Sequence, residues 1–250
     1  MTERTFVSQS AGPVVLGLDL PMGSIHVQVL GSVQSAYVVV RTEDSSGPAA
    51  DAVNRARMNQ NGQALSVEVP EIPGNVMMQS TRGGRVVQSM GTVYGSVTGM
   101  TIVNGRIIQG GGTGTLETVS PVQARVVLPV GSSLAVVTTS AHTTVSGTLE
   151  RAEFRSISAD LDLDGARSLS AVTTSGDILT GHLTEGMSAR SVSGDIRVGA
   201  YSGSGGLAET TSGDVERTAS IRSSFRSRSA TSTRPRPPST PRSATTSPTR

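Results

Sequence analysis

Thr173-Thr174-Ser175-Gly176-Asp177-Ile178, Ser191-Val192-Ser193-Gly194-Asp195-Ile196 and Thr210-Thr211-Ser212-Gly213-Asp214-Val215 are three versions of one phrase, and their Ser-Gly-Asp triplets stand 18 and 19 residues apart. Weaker copies, Ser140-Ala141-His142 and Ser158-Ala159-Asp160, carry the series backward at spacings of 18 and 17. A short period held over five units marks a chain of stacked repeats. The columns of the repeat alternate as strands do. Three residues after each Ser stand Thr143, Leu161, Ile178, Ile196 and Val215, and two further on Val145, Leu163, Thr180, Val198 and Arg217. Between them lie Thr144, Asp162, Leu179, Arg197 and Glu216, so the outer pair is expected inside and the middle residue outside. Before the Ser, Val136, Phe154, Ala171, Ala189 and Ala208 form one inward column, and Thr138, Ser156, Thr173, Ser191 and Thr210 the next. Each rung of about 18 residues then has two strands and two turns, and successive rungs stack about 4.8 Å apart.

Working outward, residues 14–73 read as an antiparallel β region with one short helix. Val14 to Leu20 and Ile25 to Val29 alternate at period two across the turn Pro21-Met22-Gly23-Ser24, and Tyr37 to Arg41 is a further strand. Pro48 to Met58 suits a helix, and Asn61-Gly62 is a hairpin signal before Leu65 to Val69. Residues 1–13 form an N-terminal arm. Residues 74–119 are rich in Gly and Met and hold a loose duplication, Gly84 to Ser89 recurring as Gly105 to Gly110, which predicts short strands joined by Gly turns. Residues 120–220 are the repeats, and 221–250 a disordered tail of Arg, Ser, Thr and Pro.

Composition removes several chemistries. All 21 basic residues are Arg and there is no Cys, so a P-loop lysine, a Schiff base, a thiol nucleophile, a disulfide and a thiolate zinc site are excluded. Aromatic residues make up 2% of the chain, so the core must be built of small side chains. Seven arginines and no acid fall in residues 221–250, which leaves 14 Arg against 19 acids in the body. The basic character therefore belongs to the tail, whose expected partner is a polyanion; the alternative is a tail that arose by a change of coding frame. No apolar leader stands in residues 1–13 and no run reaches membrane-spanning length, so a cytoplasmic location is the default expectation, with the cell surface as the alternative if the start of translation lies upstream.

The Ser-Gly-Asp-Ile phrases, with Leu-Pro-x-Gly-Ser at Leu20 to Ser24 and Leu128 to Ser132, resemble the bacterial putative adhesins built of β-strand repeats. The resemblance covers residues 120–218 well and 14–218 loosely. It implies an all-β, right-handed single-stranded β-helix or similar solenoid, and it brings no catalytic residue.

Candidate sites weigh toward structure. In the triplets Ser175-Gly176-Asp177, Ser193-Gly194-Asp195 and Ser212-Gly213-Asp214, Gly is expected to supply a positive φ and Asp to cap the turn through a backbone N–H. The column Asp160, Asp177, Asp195, Asp214 is the one weak candidate for calcium, but each coil has a single Gly-Asp turn where calcium-binding rolls use two Gly-rich ones. The Ser column has no recurring base beside it and reads as a hydroxyl ladder on turn amides. His26, His142 and His182 share no metal spacing. Asp160, Asp162 and Asp164 could serve a polysaccharide-cleaving β-helix enzyme only if they converged on one face, which their parity opposes. The expectation is a non-enzymatic scaffold or binding module with no cofactor, whose solenoid face contacts a protein or glycan. The alternatives are a module that self-associates through its C-terminal edge and a calcium-stabilised one.

Overall fold

A computed structural model describes residues 1–72, 76–82, 85–90, 100–103, 106–109, 117–220 and 224–229, with side chains for 1–72 and 119–216. The chain is mostly β. The first part comprises β1 (Thr2–Val7), β2 (Val15–Asp19), β3 (Ser24–Leu30), β4 (Tyr37–Thr42), helix α1 (Pro48–Arg55), β5 (Arg57–Asn61) and β6 (Ala64–Glu68). The Gly/Met-rich part forms β7 (Val76–Arg82) and β8 (Arg85–Met90), an antiparallel pair, then β9 (Met100–Val103) and β10 (Arg106–Gln109), another, and β11 (Glu117–Val119), parallel to β7. Short strands expected there are present. The repeats form β12 (Gln123–Pro129), β13 (Ser133–Thr138), β14 (His142–Ser156), β15 (Leu161–Thr173), β16 (Ile178–Ser191), β17 (Ile196–Tyr201), β18 (Gly205–Thr210) and β19 (Val215–Ser220). Beyond them β20 (Ser224–Ser229) pairs in parallel with β18, so the segment expected as tail contributes a strand; 221–223 and 230–250 are not described.

Fifteen strands join in one mixed sheet. Its repeat section is parallel and in register: Leu161 lies beside Ile178, Ile178 beside Ile196, and Ile196 beside Val215. On the other side of the Ser-Gly-Asp turn Phe154, Ala171, Ala189 and Ala208 line up in the same way. The columns read from the sequence are thus real neighbours, and the alternation holds, for Thr143, Leu161, Ile178 and Ile196 are all buried while Leu179 and Arg197 are exposed. In β14, β15 and β16 the two expected strands of a rung run on as one long strand, with register shifts between Val145 and Thr148 and between Ala166 and Ser168. A sheet with one buried face and one eight-residue helix beside it must curl over that face. This one does so nearly to the closure of a barrel, around a single apolar cluster that runs from Phe6 to Ala208.

The N-terminal region corrects the sequence reading in two places. Strands β2 and β3 flank the Pro21-Met22-Gly23 turn but do not pair as a hairpin. Instead β2 lies parallel between β13 and β6, and β3 parallel between β12 and β14. The reason lies in the turn. Gly23 has φ 131°, Ser24 N–H donates to Val122 O, and the N–H groups of Thr139 and Ser140 donate to Pro21 O, so the turn is stacked between neighbouring chain segments as the Ser-Gly-Asp turns are. Helix α1 ends at Arg55, three residues before the predicted Met58, because Ala56 is extended and Arg57–Asn61 pairs with β6 across Gly62 at φ 60°. Its buried side, Ala49, Ala50, Ala52 and Val53, faces β1 and β4. Within the N-terminal arm, Thr2–Val7 forms β1, tied down because Arg4 Nη1 donates to the helix-end carbonyls of Asn54 and Ala56 at 2.6 and 2.7 Å. Among the described residues no helix is long and apolar enough to cross a membrane.

Candidate functional site

The turn column comes first, because the sequence points to it. The Asp177 N–H donates to Asp160 Oδ1 at 2.9 Å, the Asp195 N–H to Asp177 Oδ1 at 2.8 Å, and the Asp214 N–H to Asp195 Oδ1 at 3.0 Å. Each carboxylate therefore caps the corresponding residue of the next repeat, not an amide of its own turn. The glycines correct the expectation outright. Gly176, Gly194 and Gly213 do not have positive φ; a Cβ on any of them would collide with the carbonyl oxygen of Ala159, Gly176 or Gly194 in the preceding repeat. They are glycine so that turns can stack at strand spacing. The hydroxyl ladder is displaced as well. Thr138 Oγ1 and Ser156 Oγ accept the N–H groups of Ala141 and Ala159, each at 2.7 Å, while Ser191 Oγ and Thr210 Oγ1 donate to the carbonyls of Gly176 and Gly194. Thr138 and Ser156 of the inward column thus do what was expected of Ser140, Ser158, Ser175, Ser193 and Ser212, whose main-chain N–H groups bond carbonyls of neighbouring segments, the Ser158 hydroxyl also donating to Thr139 O at 3.3 Å.

A second glycine column went unread. Gly181 and Gly199 leave no room for a Cβ against the carbonyls of Asp164 and Gly181, and Asp164 Oδ2 accepts the Gly147 N–H at 3.0 Å. The spacing of 18 between Gly181 and Gly199, in step with the triplets, was the available signal. Of the Asp trio, Asp160 and Asp164 are exposed and engaged by main-chain N–H groups, and Asp162 is half-buried. His142 Nδ1 lies 3.6 Å from Asp160 Oδ2, whereas His26 and His182 are exposed. Among the described residues no three His, Asp or Glu side chains converge in a way that could hold a metal ion.

The place with room for a ligand lies on the outer face of β1, β4, β12, β3 and β14, where a cavity of about 690 Å³ opens. Cross-strand pairing sets out the face on which it opens. One row runs Thr5, Val39, Arg125, His26, Thr144; the next, two residues along, runs Val7, Tyr37, Val127, Gln28, Ser146; and on the other side Glu3, Arg41 and Gln123 stand opposite one another. Tyr37 is 40% exposed and Val7 49%, an apolar strip on a face that alternation turns to water. Arg41 holds Gln123 Oε1 through Nε at 3.2 Å and Nη2 at 2.9 Å, and no carboxylate lies within ion-pair distance of Arg41 or Arg125 among the described residues. By contrast, Arg167 is held between Glu150 at 2.9 Å and Glu185 at 2.6 Å, which raises its pKa further.

A second crevice, of about 420 Å³, lies between Asp19, Glu68, Glu71, Val137 and Ile157. Loss of hydration, and then the charges of Glu68 and Glu71, push the Asp19 carboxyl up from its ordinary pKa.

No protein-family model and no curated protein matches the chain. Among solved structures it is similar to a protein described as a putative cell adhesion protein from Clostridium sporogenes (8% identity, TM-score 0.34, 91% of this chain and 99% of that one). It is also similar to a putative adhesin from Parabacteroides distasonis (7%, TM-score 0.34, 91% and 93%) and another from Bacteroides fragilis (8%, TM-score 0.35, 91% and 97%). At such values these likenesses establish neither a common architecture nor a common role.

Proposed function

We propose that this chain is a non-enzymatic binding module of adhesin type, wound as a β-solenoid, which holds a protein or glycan partner on its outer face. The observation that carries the binding reading is the 690 Å³ cavity over exposed Tyr37, flanked by Arg41 and Arg125. Its size falls within the range of about 300–1,000 Å³ typical of ligand sites. Winding is supported by the parallel, in-register succession of β14, β15, β16 and the pairs beyond. The non-enzymatic reading is supported by what the recurring polar groups do: the Asp column and the inward hydroxyls are spent on main-chain partners from rung to rung. Screening the full chain and its Tyr37→Ala variant on glycan and protein arrays tests the proposal. Partners captured by the parent and lost by the variant are expected; a set of partners unchanged by the substitution would remove the cavity from the function.

A second reading, self-association, is favoured by one feature. Among the described residues β19 pairs only with β17 and β20 only with β18, so that end of the sheet presents open strand edges. Sedimentation of the full chain across dilution decides it, since a monomer at every concentration excludes the reading.

A further inference from the structure

We infer that the outer-face cavity is a subsite for a carboxylate-bearing oligosaccharide, with Tyr37 as the platform for a sugar ring and Arg125 and Arg41 as the carboxylate contacts. This rests on the binding-module reading above and names the ligand class for it.

The inference comes from the spacing of three side chains. Arg125 stands opposite Val39 on the neighbouring strand, so it is the diagonal neighbour of both Tyr37 and Arg41. Diagonal neighbours on a sheet stand about 7–8 Å apart, and Tyr37 and Arg41, four residues apart on one strand, about 13 Å. The three thus form a shallow triangle as long as a few linked sugar rings. A flat aromatic face with apolar Val39 and Val127 beside it suits the C–H face of a pyranose, while the Arg125 guanidinium offers two parallel N–H donors to a ligand carboxylate; Arg41, whose Nε and Nη2 are engaged by Gln123 Oε1, adds its charge and its remaining N–H groups. The far wall offers exposed Gln28 and Ser146, neutral hydrogen-bonding groups of the kind that sugar hydroxyls match, while the Thr144 Oγ1 beside them is buried. Charge points the same way, for Arg41 and Arg125 outweigh the one acid of the cavity, Glu3. An acidic protein segment is the weaker occupant, because protein-interface anchors sit in fully desolvated pockets and Tyr37 is 40% exposed on an open sheet face.

Calorimetric titration of the full chain with hexagalacturonate, with neutral cellohexaose and with a short poly-glutamate peptide tests the inference, in parallel with Arg125→Gln and Tyr37→Ala. Both side chains are exposed, so the variants should keep the parent's melting temperature, which circular dichroism checks. The expected result is binding of hexagalacturonate that weakens at least tenfold in either variant and at high salt, with cellohexaose at least tenfold weaker than the acidic sugar. Binding of cellohexaose or of the peptide in preference, still dependent on Tyr37, would overturn the acidic-sugar assignment and leave the cavity as the binding site. Failure of every probe, or binding indifferent to both substitutions, would overturn the assignment and the cavity together.

Discussion

At the scale of the residue, the triplet glycines separate two explanations that look alike in sequence. Had Gly194 been chosen for a left-handed backbone, alanine would be strained by its own φ; here it is excluded by the Gly176 carbonyl of the preceding turn. Gly194→Ala must push the two turns apart, and a cost of about 1–3 kcal/mol, the usual range for overpacking a tight site, is expected in urea unfolding of the full chain. A variant as stable as the parent would show that the turns are not stacked in contact. Asp19 supplies a test of another kind. Its pKa is raised in the folded state, so the unfolded chain gives up that proton at lower pH, and stability is lost as pH rises through the folded value. Asp19→Asn should therefore raise the melting temperature at neutral pH, and the gain should shrink to nothing below the ordinary carboxylate value of 3.8. A gain that persists at low pH would place the effect elsewhere than in the carboxylate charge.

Elements were legible where their residues recur and illegible where pairing is decided by distant chain. The inward columns of β14 to β18 could be read because a fixed period carries both the alternation and the neighbour, and Asn61-Gly62 because a hairpin turn is local. The partners of β2 and β3 could not. Nothing near Val15 or Ile25 says that their neighbours are Ser133 and Ala124, more than 90 residues on. The outer-face cavity was missed for the same reason, since Tyr37, Arg125 and His26 lie on three strands that only the folded sheet brings side by side. If the period alone sets the stacking, it can be edited. Removal of residues 178–195 joins Asp177 to Ile196 and seats Leu161 beside Ile196 and Ala171 beside Ala208, one repeat shorter and still in register. That variant should give the same far-ultraviolet spectrum and a cooperative, somewhat lower melting transition, whereas removal of 178–186 alone should abolish cooperative unfolding. Equal behaviour of the two deletions would mean that register does not govern the fold.

For the molecule as a whole, the decisive feature is that the beginning of the chain is laid against the repeats and not set before them. Strand β2 covers the edge of β13, β3 fills the place between β12 and β14, and Leu16, Leu18, Ile25 and Val27 belong to the same apolar cluster as Phe154, Leu163 and Ile178. A fragment that starts at Val119 keeps every Ser-Gly-Asp triplet yet loses the strands that cover β13 and the first part of β14. Its inner face and its strand edges would then be open to water and to other copies. The full chain, built around one core, should unfold in a single transition on which fluorescence of the tyrosines and circular dichroism agree. The fragment of residues 119–250 should instead be polydisperse in solution and lack that transition, and addition of a peptide of residues 1–72 should recover part of it. A monomeric fragment that melts cooperatively by itself would show that the repeats form an independent unit, with the N-terminal strands an accessory to a core already complete.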